Sequence, residues 1–285
     1  MRRILIAGAN GQLGSRLSEF ELPLGFELIV CDRQTLDVTD VASIERALDS
    51  HRPDVIVNAA AYTAVDRAEE EAELARKING TALQYLAERC VAHSVDLIHV
   101  STDYVFDGNK DEPYQTDDEP SPAGVYGHSK WEGEKAVVKA FVDSNRCRFW
   151  IFRAAWLYDS RGQNFAQTII RLGESGKSLK IVNDQWGAPA AAGPFAALLM
   201  QVAKNPDLLK SGTWHYGTSG PTTWYDFAQA IFEHKNLQVD TIPCSTGAYP
   251  TLAKRPVYSY LDPVPLMEAL GRDPEDWKDQ MHRIL

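Results

Sequence analysis

Ile4-Leu5-Ile6-Ala7-Gly8-Ala9-Asn10-Gly11-Gln12-Leu13-Gly14 decides the fold. The apolar run has no polar break, which reads as a strand buried on both faces, and the glycines follow it directly. A glycine loop between a strand and a helix expected over 12–20 is the setting of a dinucleotide fingerprint. Gly8 and Gly11 let backbone amides approach a pyrophosphate where the unpaired N–H groups of the helix start favour negative charge. Gly14 lets helix and strand pack closely.

Working outward, further apolar runs at Glu27–Cys31, Val55–Asn58, Leu97–Ser101 and Phe149–Arg153 read as strands. Amphipathic stretches near 41–50, 70–92 and 126–143 read as the helices between them. Strict alternation predicts an α/β fold, a Rossmann-type doubly wound parallel sheet covered on both faces. After about residue 155 prolines, glycines and aromatics loosen the pattern, which predicts a smaller C-terminal substrate-binding lobe. The expected division is a dinucleotide-binding domain over 1–154, with 179–204 returning to it, and a lobe formed by 155–178 and 205–285. The acidic, proline-bearing segment 107–122 reads as a surface loop, and the run Asp66–Glu73 as a helix start complementing its dipole.

Asp32 ends the second strand about 20 residues beyond the glycines, where a carboxylate accepts hydrogen bonds from an adenosine ribose. This favours NADH, while the adjacent Arg33 leaves room for the 2′-phosphate of NADPH. Asp37, Val38, Ala59, Ala60 and Ala61 fall at later element ends, and the small ones leave space for adenine and ribose. The net charge of -10 argues against nucleic acid or an anionic membrane as partner, since both call for a basic surface. The four cysteines are scattered, with no paired spacing, which fits a reducing cytoplasm. The apolar stretch 188–203 is broken by Pro189, Gly193 and Pro194 and is too short to span a bilayer.

Tyr126-Gly127-His128-Ser129-Lys130 places a phenol and an ammonium on one helix face. A neighbouring positive charge lowers a phenol pKa and equips the tyrosine to act as a general acid. Ser101-Thr102-Asp103-Tyr104 brings a hydroxyl pair to the end of a central strand, where open α/β sheets bind ligands. None of the seven histidines is assigned to catalysis, and His128 is expected to face away from Tyr126 and Lys130. Trp186, Trp214 and Trp224 read as core.

Taken together these residues resemble the extended short-chain dehydrogenase/reductases. More narrowly, the chain is similar to the dTDP-4-dehydrorhamnose reductase family, and the likeness runs nearly end to end. It is carried by GANGQLG at Gly8–Gly14, RPDVIVNAAAYTAVDRAE at Arg52–Glu69, STDYVFDG at Ser101–Gly108 and YGHSKWEGE at Tyr126–Glu134. It continues in FRAAWLY at Phe152–Tyr158, VNDQWGAP at Val182–Pro189, GTWHYGTSGPTTWYDFA at Gly212–Ala228 and AYPTLAKRP at Ala248–Pro256.

The resemblance implies reduction of a dTDP-linked 4-keto-deoxysugar by NADPH or NADH. Tyr126 would protonate the C4 oxygen, Lys130 would bind the nicotinamide ribose and lower the Tyr126 pKa, and Thr102 would hydrogen-bond the same oxygen. Asn10, Gln12, Leu13, Tyr62 and Thr63 would join the cofactor site. Asp103, Tyr104, Val65, Trp156, Asn164 and Arg255 would meet the substrate, Arg255 as the cation for its pyrophosphate. Some members of this family hold magnesium between subunits with three glutamates. The matching positions here begin with Arg16 and Gly193, so no metal is expected and the chain reads as a monomer or homodimer. The alternatives are a reductase or epimerase for another nucleotide-linked sugar and a non-catalytic NAD(P)-binding regulatory subunit.

Overall fold

Along β1 (Arg2–Ala7), Ile4 and Ile6 enter one hydrophobic core while Leu5 and Ala7 enter another, and all four are 0% exposed. A strand with a core on each side has no face to give to polar residues, which explains the unbroken apolar run. In the computed structural model, which describes residues 1–285, the first half continues with α1 (Gln12–Ser18), β2 (Phe26–Cys31), α2 (Val41–His51) and β3 (Val55–Asn58). Then come α3 (Val65–Ala68), α4 (Ala72–Arg76), α5 (Ala82–His93), β4 (Asp96–Thr102), α6 (Val125–Phe141) and β5 (Phe149–Ala154). The second half holds β6 (Leu157–Tyr158), α7 (Phe165–Glu174), β7 (Leu179–Val182), β8 (Trp186–Gly187), β9 (Ala190–Ala191) and α8 (Ala192–Lys204). It ends with β10 (Gly212–Tyr216), β11 (Thr222–Thr223), α9 (Trp224–His234), β12 (Thr241–Cys244), α10 (Val264–Ala269) and α11 (Trp277–Ile284).

Six strands form one parallel sheet in the order β10-β5-β4-β3-β1-β2. The chain winds from β1 outward to β2, then crosses back to β3 and outward the other way. The switch point therefore lies between β1 and β3, where such sheets open a crevice at the carboxyl ends of their strands. Helices α1 and α8 cover one face, and α2, α5 and α6 the other.

The division of the chain differs from the one expected. Leu179–Val182 does not return to the main sheet; it pairs with β12, and Ile181 joins Phe227, Ile231 and Trp277 in a third core. Conversely, Gly212–Tyr216 leaves the lobe and becomes the edge strand beside β5. The physical reason is the same in both cases: a four- or five-residue strand is assigned by its partner, and each partner residue, Thr241 for Leu179 and Trp150 for Gly212, lies 62 positions away in sequence. α8 is apolar nearly all round, and Phe195, Leu199 and Met200 pack with Ile4, Trp150 and Phe152.

The helix expected over 70–92 is interrupted by a π-helical turn at Lys77–Thr81. Buried Asn79 sits in that turn and ties it outward, accepting from Tyr62 N at 2.9 Å and donating to Tyr62 O and Ser129 Oγ, each at 3.0 Å. The segment 107–122 is less free than expected of a surface loop, because Tyr114 is buried, stacks on Phe106 and bridges to Leu261.

Candidate active site

The glycine loop is built for close approach. Gly8 has φ +84°, and a Cβ there would stand 2.6 Å from Ala60 N; at Gly14 it would stand 2.0 Å from Gly8 O. A 240 Å³ cavity lies above this loop, bounded by Gly8, Asn10 and Gly11 on one side and Arg33, Asp37 and Val38 on another. Ala59, Ala60 and Ala61 close the third side. Asp32 Oδ1 is spent on its own turn, accepting from Gln34 N at 2.9 Å and Thr35 N at 3.0 Å, while Oδ2 meets only Asn10 Nδ2 at 3.5 Å. Arg33 is exposed and lies 3.7 Å from Asp37. Gln12, next to Gly11 in the loop, has a buried Nε2 with no partner, a donor waiting for an acceptor. Leu13 instead turns into the core beside Leu17 and Ile4. Tyr62 gives its phenol to Glu71 Oε2 at 2.6 Å, and Thr63 is exposed. The glycine cradle, the orphaned amide and the small strand ends fit a dinucleotide.

Gly14→Ala is expected to lower stability by about 3 kcal/mol or more, since the clash is with backbone that has no rotamer to escape into. Thermal unfolding should show a Tm lower by about 6 °C or more, and an unchanged Tm would mean that α1 docks on β1 in some other way.

At the end of β4, Thr102 Oγ1 donates to Asp103 Oδ1 at 3.0 Å and accepts from Tyr104 N at 3.2 Å. The second Asp103 oxygen, Oδ2, is buried and accepts no hydrogen bond within 3.5 Å, although the Ser259 hydroxyl lies near enough to favour the carboxylate. Burial pushes the Asp103 carboxyl up to about 6, with the Ser259 and Thr102 hydroxyls opposing. Tyr126 lies edge-on to Tyr104, ring centres 5.5 Å apart. The close seat of α6 depends on Gly127, where a Cβ would be 2.1 Å from Tyr104 O.

One expectation needs correction. Burial moves the Tyr126 phenol above its ordinary value of 10, Thr102 is the group acting downward, and Lys130 is not among the groups that shift it. Lys130 is itself 2% exposed and donates to Val100 O at 2.7 Å, with His99 Nε2 at 3.1 Å. Burial lowers its ammonium to about 8, opposed by Glu134 one turn further along α6. The lysine is thus held against β4, and the phenol stays protonated.

A second cavity of 380 Å³ opens in the lobe, between Phe165, Leu179, Val182, Trp224, Tyr249 and Arg255. Arg255 is already oriented: Nη2 donates to Asp66 Oδ2 at 2.8 Å and Nη1 to Tyr104 OH at 3.1 Å. Trp156 stacks on Trp224 at 3.6 Å between ring centres and takes φ +47°, a left-handed conformation unusual for a bulky residue.

Against known families, the model of the RmlD substrate binding domain matches residues 1–285, the whole chain. The chain belongs to that family. Among curated relatives of this RmlD-family chain, the dTDP-4-dehydrorhamnose reductase of Aggregatibacter actinomycetemcomitans is 39% identical over 294 residues, covering 100% of the chain and 98% of the relative. That of Escherichia coli (strain K12) is 38% identical, covering 99% and 96%. The crystal structure of dTDP-4-dehydrorhamnose reductase from Bacillus anthracis in complex with NADP superposes with a TM-score of 0.92 at 33% identity, covering 100% and 99%.

Within this RmlD-family chain some sequence readings acquire different partners. Asn164 caps α7, accepting from Gln167 N at 3.1 Å and donating to Asp159 O and Arg161 O at 3.0 Å each, so its amide is occupied away from the cleft. Arg16 makes a two-pronged pair with buried Asp159, and Gly193 faces open space. Trp186 is 41% exposed and is not a core residue, while Trp224 packs partly buried against the third core and also lines the lobe cavity; Trp214 packs partly buried against the sheet. Val65 opens α3, and His128 is exposed. Asp66 and Glu73 lie in the first turns of α3 and α4, as a helix start would have them, and the run also serves other elements: Asp66 holds Arg255 and Ala253 N, and Glu69 accepts from Val125 N at the start of α6. Those roles, and the His99 contact with Lys130, carry no local sequence signal, because each joins segments far apart in the chain.

Proposed function

We propose that the chain reduces the C4 keto group of dTDP-4-dehydro-L-rhamnose to give dTDP-L-rhamnose, using NADPH or NADH, with Tyr126 as general acid. The bound dihydronicotinamide supplies the hydride. Gly8, Gly11 and the alanines of 59–61, which bound the cavity, bind its adenosine end together with Asp32, whose Oδ2 meets only Asn10, and Lys130 orients the nicotinamide ribose. Tyr126, kept protonated by burial, hands its phenolic proton to the alkoxide that forms at C4. Thr102 turns its hydroxyl from Asp103 to the same oxygen and spreads the developing charge. Asp103 Oδ2, the unpaired acceptor, takes a sugar hydroxyl. Arg255 meets the pyrophosphate with the N–H groups left over from Asp66 and Tyr104. The base lies against Trp224 and Phe165 in the lobe cavity.

What supports this reading is that Thr102 and Asp103 stand together at the end of β4, with Tyr126 edge-on to the neighbouring Tyr104, in a chain whose family match is end to end. The test is spectrophotometric. Oxidation of NADPH or NADH is expected only when dTDP-4-dehydro-L-rhamnose is added, with dTDP-L-rhamnose as product. Binding of either nucleotide without turnover of that sugar would sink the reading.

A further inference from the structure

His99 is 2% exposed on β4, 3.1 Å through Nε2 from Lys130 Nζ and 3.2 Å through Nδ1 from Asn58 Nδ2. We propose that His99 is a positioning residue for Lys130, and that the choice of ring nitrogen carrying its proton couples the charge of the lysine to the Asn58–Ala60 wall of the cofactor cradle. This rests on Lys130 facing the nicotinamide ribose.

Burial first, and Lys130 second, push His99 well below its ordinary value of 6.5, so the ring is neutral and offers one N–H and one lone pair. Its two neighbours are an amide NH₂ and an ammonium, both donors, and a neutral ring accepts only one of them. Two arrangements are self-consistent. In the first, Nδ1 accepts from Asn58, Nε2–H points at an uncharged Lys130 amine, and Asn58 Oδ1 keeps its bond from Ala60 N at 3.1 Å. In the second, the Lys130 ammonium donates to Nε2 and Val100 O, keeping one N–H for the ribose, and the proton sits on Nδ1. Asn58 must then turn its amide so that Oδ1 faces the ring, and Ala60 N is released. Ala60 lines the cofactor cavity, and its N is the atom nearest a Cβ placed on Gly8. Charging Lys130 therefore frees a backbone donor in the cradle.

The other groups around Lys130 do not compete for this role. On its own helix Glu134 faces it but is held by Arg153 from β5 at 2.7 Å, and Tyr126 stays protonated. The π-helical turn contributes neutral Asn79, Lys77 being exposed, and Asp103 lies beyond the end of β4.

The test reads NADPH affinity by fluorescence titration between pH 6 and pH 9.5, independently of any sugar. In the native protein the affinity should weaken as pH rises past the Lys130 pKa near 8. His99→Leu removes an acceptor from the ammonium and should move that fall about one pH unit lower. His99→Gln, whose Oε1 can accept from Nζ, should restore it. A leucine variant that binds NADPH uniformly more weakly, with the fall at its native pH, would overturn the proposal. Should that variant not fold, nitrogen NMR of histidine-labelled native protein decides. The His99 signals, assigned by their loss in His99→Gln, should stay neutral and exchange tautomer over the pH range where NADPH binding weakens. A ring fixed in one tautomer throughout would overturn the proposal. Intact pH-dependent NADPH binding without sugar turnover would instead count against the proposed function and leave this inference standing.

Discussion

Tyr126→Phe should lower kcat by about 10²–10⁴, the range a positioned general acid contributes, while NADPH binds with nearly native affinity. The substitution is well controlled here. Phenylalanine keeps the ring that lies edge-on to Tyr104, and Gly127 still lets α6 approach Tyr104 O, so the helix has no reason to move. What is lost is one hydroxyl, which burial holds in its protonated form. The loss corresponds to about 3–5 kcal/mol in the barrier. Single-turnover kinetics with dTDP-4-dehydro-L-rhamnose, alongside a fluorescence titration of NADPH, separates the two effects. Turnover within threefold of native would rule Tyr126 out as the acid.

The second large effect lies beneath the site. Glu134 and Arg153 are 1% and 3% exposed and are joined by contacts of 2.7 and 3.1 Å. Arg153 is further enclosed by the Phe106 ring at 5.0 Å, and by His215 Nε2 at 3.4 Å, a ring kept neutral by burial and by the arginine itself. Glu134→Ala leaves a guanidinium buried without a counter-ion, and should cost about 3–5 kcal/mol of stability. The double change Glu134→Leu with Arg153→Met should recover most of that, because apolar groups of similar volume owe no desolvation. Denaturant unfolding of the three proteins is the measurement. A single variant as stable as the parent would show that the pair is not the keystone its burial implies. Glu134 also holds the Lys130 ammonium up, so a folded single variant should lose NADPH affinity at lower pH than the parent.

Both predictions concern residues that the sequence displays very differently. Tyr126 and Lys130 stand four apart on one helix, a periodicity that is visible in the chain itself. The partners that give them their chemistry are elsewhere. Lys130 meets His99 across 31 residues, Arg255 meets Asp66 across 189, and Arg153 meets His215 across 62. The expectation that Lys130 lowers the Tyr126 pKa followed from the helical spacing and from the family resemblance. It was displaced because burial acts on the phenol directly, and because Val100 O and His99 hold the lysine against β4.

The sequence by itself determined the strand, glycine loop and helix at the start, the alternation of elements as far as β5, and the face that carries Tyr126 and Lys130. Each of these is written in neighbouring residues, as an unbroken apolar run, a glycine that no Cβ could replace, or a helical spacing. Only the tertiary structure decided that Gly212–Tyr216 closes the main sheet while Leu179–Val182 does not, and which protons and charges sit beneath the lysine. A short strand is assigned by its partner and a buried proton by the donors and acceptors around it, and neither leaves a local pattern to read.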